Sequence, residues 1–383
     1  KDSTAVQGVT PIAGSSSVTT KLKADVSIDM ASEISVNGAG EIIFAPYTSG
    51  KSISVYSGSK TAGYDLGVWG SENLQNGFSR ITYGDSASAA IATSGTLTVN
   101  DPIKFTSASG GLTVGAAITT NNNDLTVSMA GDSAATGAYL ALGSGQLTKT
   151  ESSTLNLGGS NSYSGGTVIT GGTLQASNAG AVGTGDLSIN GGTLQISANI
   201  DSSSGLNSAD LVLGSSGATF LIDSGITAGL AGVISGSGAL TKSGSGTLDL
   251  SGINTFTGAT NLNVGTLKIS GANALKDASG LAFDGGTLQA SVDFTDASNY
   301  TLGSGGGIID VDSGRTATLS GVISGSGALT KRGSGTLDLS GINTFTGATN
   351  LNVGILKISG ANALRDTSGL AFDGGTLQAS VDF

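Results

Sequence analysis

Short runs of alternating apolar and polar residues recur along most of the chain. In the C-terminal half they lie at residues 247–250, 266–269, 287–290, 308–311 and 336–339. A run of this kind indicates a β-strand that buries one of its two faces. Their buried positions Leu248, Leu267, Leu288, Ile309 and Leu337 are separated by 19, 21, 21 and 28 residues. The pattern therefore predicts a strand on the same face about every 22 residues.

A longer repeat contains this rhythm. Residues 321–383 repeat residues 232–294 at an offset of 89, and the two copies differ at four positions: Ser243/Arg332, Thr266/Ile355, Lys276/Arg365 and Ala278/Thr367. A more divergent copy begins near Leu147 at an offset of 93. Four of the strand steps add up to one 89-residue unit, so each step is interpreted as one coil of a parallel β-solenoid.

The pattern divides the chain into three parts. Residues 1–30 are polar, and residues 31–145 keep the strand rhythm without the long repeat and include an aromatic-rich loop at 60–85. Residues 146–383 form the repetitive part. At roughly 22 residues per coil, the 383 residues predict an all-β parallel β-helix of about 17 coils. The 64 glycines fit this fold, because a solenoid needs many tight turns.

Two stretches resemble known exported proteins. The residues between 42 and 105, which begin IIFAPYTSGKSISVYSG, resemble β-helical segments of adhesins of the filamentous haemagglutinin type. The repeat core TLDLSGINTFTGATNLNVGTLKISGANAL, and more closely TLNLGGSNSYSGGTVITGGTLQASNAGAV at 154–182, look like the passenger-associated repeat of autotransporter surface proteins. This resemblance implies a right-handed β-helix, secretion, and a role in adhesion, aggregation or surface structure.

Composition excludes several classes of function. The chain has no cysteine and no histidine, which excludes disulfides and a Ser-His-Asp or Cys-His catalytic arrangement. A net charge of −11 with 16 basic residues gives no electrostatic footprint for nucleic acid. No apolar run approaches the ~20 residues of a membrane helix. We therefore predict a protein that is not an enzyme and needs no cofactor or metal.

Two pairs of acidic residues are the candidates for acid–base chemistry. Asp310 and Asp312 share one face of a strand, and Asp293 lies close to Asp296. β-Helical polysaccharide enzymes use paired carboxylates, and the first pair is also a candidate weak Ca²⁺ site. The alternative is a solvated face and an aspartate turn, and it is favoured because Asp223-Ser224-Gly225 in the earlier copy keeps only the turn aspartate.

Aromatic residues between 60 and 85 form the candidate binding site. Tyr64, Trp69, Phe78 and Tyr83 are of the type that stacks on sugars and dominates recognition surfaces. The alternative, which is favoured, is a loop folded back on the solenoid. Within the repeat, eight asparagines are expected to bond to backbone at turns or to form ladders between adjacent coils: Asn254, Asn261, Asn263 and Asn273, with their copies Asn343, Asn350, Asn352 and Asn362. Lys242 and Lys331 are expected to be solvated, outward charges.

These observations predict an extracellular protein of the bacterial cell surface that acts as an adhesin-type stalk or fibre. An alternative is an adhesive module that binds host or matrix glycans, or sister surface proteins, through the aromatic region. A polysaccharide-degrading enzyme is the least favoured hypothesis. The chain ends part-way through a repeat unit. It is therefore expected to be a fragment, or a subunit that stacks on itself end to end.

Overall fold

The computed structural model describes residues 20–24, 27–29, 40–46, 52–56, 66–69, 78–135, 139–200, 206, 209–275, 278–364 and 368–381. These residues divide into two compact units, Lys1–Ser188 and Ile189–Phe383. The expected coil structure is confirmed in both: the strands pair in parallel and build a β-solenoid of the right-handed type. The described turns number about 14 rather than the predicted 17. Ile42 and Ile81, which are 39 residues apart in the sequence, pair in register, so this step is longer than the expected 22 residues.

The strands of the first unit are short and closely spaced. They are β1 (Thr20–Ala24), β2 (Ser27–Asp29), β3 (Glu41–Pro46), β4 (Ile53–Tyr56), β5 (Leu66–Trp69), β6 (Arg80–Tyr83), β7 (Ile91–Ser94), β8 (Leu97–Thr98), β9 (Ile103–Ser107), β10 (Leu112–Val114), β11 (Ile118–Thr119), β12 (Leu125–Met129), β13 (Ser133–Ala135), β14 (Leu140–Ala141), β15 (Leu147–Lys149), β16 (Thr154–Leu157), β17 (Thr167–Ile169), β18 (Thr173–Ala176) and, across its boundary, β19 (Leu187–Ile189).

Three sheets hold the strands of the first unit. One has the order β1-β3-β6-β9-β12-β15-β17, a second β2-β5-β4-β7-β10-β13-β16-β18, and a third β14-β11-β8. Burial alternates along most of the strands whose side chains are described, as in β9, where Ile103 and Phe105 face inward. From β6 onward each coil returns to the same sheet one layer on, so strand backbone groups bond to neighbouring coils and apolar side chains form columns. Strands β4 and β5 depart from this order, because β5 follows β4 in the chain but pairs on its β2 side.

The second unit contains the near-identical repeats. Its strands are β20 (Thr193–Ile196), β21 (Leu211–Leu213), β22 (Ala218–Ile222), β23 (Thr227–Leu230), β24 (Ile234–Gly236), β25 (Leu240–Ser243), β26 (Thr247–Leu250), β27 (Thr260–Leu262), β28 (Thr266–Ile269), β29 (Gly280–Phe283), β30 (Thr287–Ala290), β31 (Phe294–Asp296), β32 (Asn299–Leu302), β33 (Gly307–Val311), β34 (Thr316–Leu319), β35 (Ile323–Gly325), β36 (Leu329–Arg332), β37 (Thr336–Leu339), β38 (Thr349–Leu351), β39 (Ile355–Ile358), β40 (Leu370–Phe372) and β41 (Thr376–Ala379).

Most of these strands lie in three sheets, named here by the order in which the chain visits them. The first face has the order β20-β22-β25-β27-β29-β32-β35, and the second face β23-β26-β28-β30-β33-β36-β38-β40. The third face has the order β31-β34-β37-β39-β41, and β21 pairs with β24. Strands β32, β33 and β34 show one full coil, with one strand on each face.

Three of the four predicted steps between coils are confirmed. Leu248 pairs in register with Leu267, and Leu267 with Leu288. Leu288 then pairs with Ile309. The last and longest step is wrong, because Ile309 pairs with Lys331 and not with Leu337. That step contains one coil, from Ile309 to Lys331, and then a corner to the next face.

Candidate functional site

A lysine lies in the core at the same position of each repeat copy. Lys149, Lys242 and Lys331 each end a Leu-Thr-Lys run, and each side chain is 0% exposed. Alternation explains this burial: the leucine and the lysine lie two residues apart and therefore face the same side of the strand. The expectation that Lys242 and Lys331 are solvated, outward charges is wrong.

Backbone carbonyls surround the ammonium group of each lysine. Lys242 Nζ donates to Ser243 O at 2.8 Å, to Gly244 O at 2.6 Å and to Val264 O at 3.2 Å. An ammonium carries three donors, so these three acceptors satisfy it completely. Val264 belongs to the following coil, and the lysine therefore ties its own turn to the next layer.

The other two copies repeat this geometry. Lys331 Nζ donates to Arg332 O, to Gly333 O at 2.6 Å and to Val353 O at 3.3 Å. Lys149 Nζ donates to Thr150 O and, at 3.0 Å, to Glu151 O. The same side chain thus holds the same turn in each copy.

A left-handed residue completes each lysine turn. Gly244 and Gly333 have φ angles of 74° and 72°, and a Cβ atom on Gly244 would lie 2.2 Å from Ile222 O. Glycine is therefore favoured in the two later copies on both conformational and steric grounds. The divergent copy has Glu151 at the matching position, with φ 59°.

Burial sets the acidity of these lysines. Desolvation lowers the pKa of Lys149, Lys242 and Lys331 to about 8, while Glu151 and Asp132 partly oppose the shift at Lys149 and Asp310 does so at Lys331. An amine with such a pKa suits base or Schiff-base chemistry when a substrate reaches it. Here the side chains are fully buried between apolar neighbours, so their role is structural.

A buried asparagine joins three successive coils in each repeat. Asn254 Oδ1 accepts from Ile234 N at 2.9 Å, and its Nδ2 donates to Ala274 O at 2.9 Å. Asn343 bonds in the same way to Ile323 N at 2.8 Å and Ala363 O at 2.9 Å. The expected bonds to turn backbone are confirmed for these two amides at Ala274 and Ala363, and the second bond of each reaches the start of a strand in the preceding coil.

The divergent copy differs from the two later copies by a hydrogen bond between the hydroxyl groups of a tyrosine and a threonine. Asn161 keeps the asparagine role, accepting from Leu140 N at 2.7 Å and donating to Ala181 O. Tyr163 OH lies 2.7 Å from Thr167 Oγ1, which donates to Val182 O at 3.0 Å. Phenylalanine replaces this tyrosine in the later copies, as Phe256 and Phe345.

In the copy with Phe256, Thr260 matches Thr167, and its Oγ1 has no hydrogen-bond partner among the described residues. We expect Thr167→Val to lower the free energy of unfolding by about 1–3 kcal/mol, because it leaves buried groups unpaired. Thr260→Val should be neutral or stabilising by up to about 1 kcal/mol. Urea denaturation of both variants measures the difference. Equal losses in the two variants would contradict the assigned hydrogen bonds.

The aromatic candidates occupy different environments. Tyr64 lies outside the described residues, and Trp69 belongs to β5, where its side chain is also outside them. Phe78 is 5% exposed and Tyr83 is 0% exposed. Tyr83 stacks between Phe44 and Phe105, with ring centroids 5.4 and 5.5 Å away. The aromatic binding site stays a prediction for Tyr64 and Trp69, whereas Phe78 and Tyr83 lie in the core.

The acidic candidates serve turns and links between coils. Asp312 accepts from Gln289 Nε2 at 3.0 Å and from Ser291 Oγ at 2.7 Å, and these hydrogen bonds lower its pKa. Its carbonyl accepts from Arg315 N at 3.0 Å, which confirms the turn. The earlier copy matches, since Asp223 accepts from Gln195 and Ser197.

The second acidic pair is used in the same way. Asp293 Oδ1 accepts from Thr316 N at 2.8 Å in the next coil, and Asp296 accepts from Ser298 N at 2.9 Å and Tyr300 OH at 2.8 Å. The described part of the chain contains no group of three acidic residues placed to hold a metal ion.

The buried lysines lie inside segments that match a known repeat. A family model described as the passenger-associated-transport-repeat matches residues 147–176, 240–269 and 329–358. The chain carries three passenger-associated transport repeats. In each one the match begins at the Leu-Thr-Lys strand, and in the later two copies the three carbonyl acceptors of the lysine lie within it.

One curated relative extends the likeness. The adhesin BmaC autotransporter of Brucella suis biovar 1 (strain 1330) is 34% identical over 179 residues, which is 45% of this chain and 5% of that protein. The chain thus matches a small part of a much longer relative. No solved structure matches the chain. Among the described residues, no helix has the length and apolar character required to cross a bilayer.

Proposed function

We propose that this chain is part of the solenoid shaft of an exported, adhesin-type bacterial surface protein, and that the shaft works as a spacer. The observation that supports this proposal is that the lysine and the asparagine repeated in every copy are buried and bond to the backbone of the solenoid. The ammonium of Lys242 bonds to backbone carbonyls of its own turn and of the next coil, and the amide of Asn254 bonds to the backbone of the coils before and after it. A repeat whose chemistry is internal adds length rather than a new binding specificity.

The comparisons support the location and the class of this proposal. Passenger-associated transport repeats occupy both copies of the near-identical unit, and the relative that covers 45% of the chain bears the name of an adhesin autotransporter. Since the chain matches 5% of that protein, the adhesive contact itself is assigned to no residue here.

The described polar groups also argue against catalysis. Asp310 and Asp312 lie on a strand and a turn, and the carboxylate of Asp312 is engaged by Gln289 and Ser291. The lysine amines with a lowered pKa are fully buried. A spacer needs none of these groups to be accessible.

Two measurements test this function. An antibody against the purified chain should label intact cells of the source organism, and labelling that needs cell lysis would refute surface exposure. The purified chain should release no sugar from neutral or acidic polysaccharides, with or without Ca²⁺. If the chain turned over a polysaccharide and the double variant Asp310→Asn, Asp312→Asn did not, the spacer function would be refuted and the chain would be an enzyme.

The structure also changes how the aromatic hypothesis is tested. Deleting residues 60–85 would remove β6 and with it the buried Tyr83, so a loss of adhesion would report on folding. Tyr64→Ala combined with Trp69→Ala removes the two candidates whose side chains lie outside the described residues. Tyr83→Ala serves as the control for a purely structural defect.

A further inference from the structure

The 89-residue unit does not bring its second copy back to the same face. Leu248, Leu267, Leu288 and Ile309 form one column on the second face. Leu337 is the copy of Leu248, yet it pairs with Ala317 on the third face. The two copies are therefore turned relative to each other.

Six strands of the unit move by the same amount. Strands β25, β27 and β29 lie on the first face, and their copies β36, β38 and β40 lie on the second. Strands β26, β28 and β30 lie on the second face, and their copies β37, β39 and β41 lie on the third. With three faces in a coil, one unit equals four coils and one face, or four and a third turns.

The faces are equivalent environments for this sequence. On the first face Lys242 Nζ lies 2.6 Å from Gly244 O, and on the second face Lys331 Nζ lies 2.6 Å from Gly333 O. The outward ion pair is also preserved, from Lys268 to Asp249 at 2.8 Å on the second face and from Lys357 to Asp338 at 2.7 Å on the third. A unit that folds equally well on each face can follow any other unit.

We propose that the 89-residue unit is a length module, whose number can change without disturbing the fold of the shaft. Each added unit advances the solenoid by about 21 Å, at ~4.8 Å per coil, and turns the displayed surface by one face. Three units present the same surface on all three faces. This inference rests on the proposed spacer function and adds the way in which its reach is set.

Removing one unit tests the module. Deletion of residues 240–328 joins Ala239 to Leu329, which restores the Ala-Leu junction found at Ala328-Leu329. We expect a cooperative thermal transition within about 3 °C of the full chain, because every strand keeps equivalent neighbours. Deletion of residues 240–318 is the control, since it joins Ala239 to Leu319 out of phase and should lose that transition. A 240–328 deletion that fails to fold overturns the module but leaves the surface and turnover tests of the spacer valid.

Spin labels test the rotation directly, because the chain has no cysteine to interfere. Ile253 and Ile342 occupy matching positions of the two copies and are 66% and 62% exposed. Ser334 lies four coils beyond Ile253 at the same corner, between β36 and β37.

Pulsed electron–electron double resonance should then give a different distance for each of two pairs of spin labels. Ile253→Cys with Ser334→Cys should be separated by roughly 19 Å, which is four coils. Ile253→Cys with Ile342→Cys should be separated by roughly 25 Å, because a face at least four residues wide adds a lateral displacement of more than ~13 Å. Equal distances would overturn the one-face turn and leave an in-line repeat.

Discussion

Replacing Lys242 by alanine should lower the free energy of unfolding by about 3–5 kcal/mol, because a cavity and unpaired acceptors each destabilise a core. The alanine removes a buried stem that lies in the column between Phe220 and Leu262. It also leaves the carbonyls of Ser243, Gly244 and Val264 without their donor. Urea denaturation followed by circular dichroism measures the change.

The control for this loss is Lys268→Ala. Lys268 Nζ pairs with Asp249 at 2.8 Å on the outer face, where its side chain is 30% exposed, so its removal should cost about 0–1 kcal/mol. Lys242→Met separates the two causes, because it keeps most of the stem, removes the buried charge and cannot donate. If Lys242→Ala were as mild as Lys268→Ala, the carbonyl cage would not stabilise the turn.

Replacing Asn254 by alanine should cost about 2–4 kcal/mol, because it leaves buried polar groups without partners. These groups are the amide of Ile234 and the carbonyl of Ala274, which lie in the coils before and after the asparagine. Hydrogen exchange should show the largest loss of protection at Ile234 N. We expect Asn263→Ala, at an exposed position of the same coil, to change stability by less than about 0.5 kcal/mol. Similar losses at the two asparagines would refute the bridging role.

Strand positions and most columns could be predicted from the sequence, because apolar and polar residues alternate along a strand and show which side chains face the core. The same rule also places Lys242 inward, two residues after Leu240. The prediction failed there because residue type was given more weight than phase: a lone lysine is costly to bury unless acceptors are supplied. Those acceptors are backbone atoms of a turn, which no side-chain pattern reveals.

The error in the last predicted step, where the repeat moves on by one face, also has a structural cause. The three shorter spacings mark returns to one face, and the longest spacing, before Leu337, marks a coil plus a corner. The sequence alone does not distinguish these two kinds of spacing, because the three faces carry similar Thr-Leu runs. The acidic turns were predicted correctly, since Asp312-Ser313-Gly314 has local turn chemistry. The burial of Tyr83 depends on Phe44 and Phe105, which are remote in sequence and could not be paired from it.

The pairing between coils has a consequence for the speed of folding. Leu248 meets Leu267 on the next coil, and Ile309 meets Lys331 in the same way. Each such contact closes a loop of similar length, so its entropic cost is similar wherever it occurs along the chain. Contacts limited to neighbouring layers let structure spread from one nucleus without a search across the whole polypeptide. Lengthening the solenoid therefore adds folding steps of equal difficulty, with each finished coil acting as the template for the next.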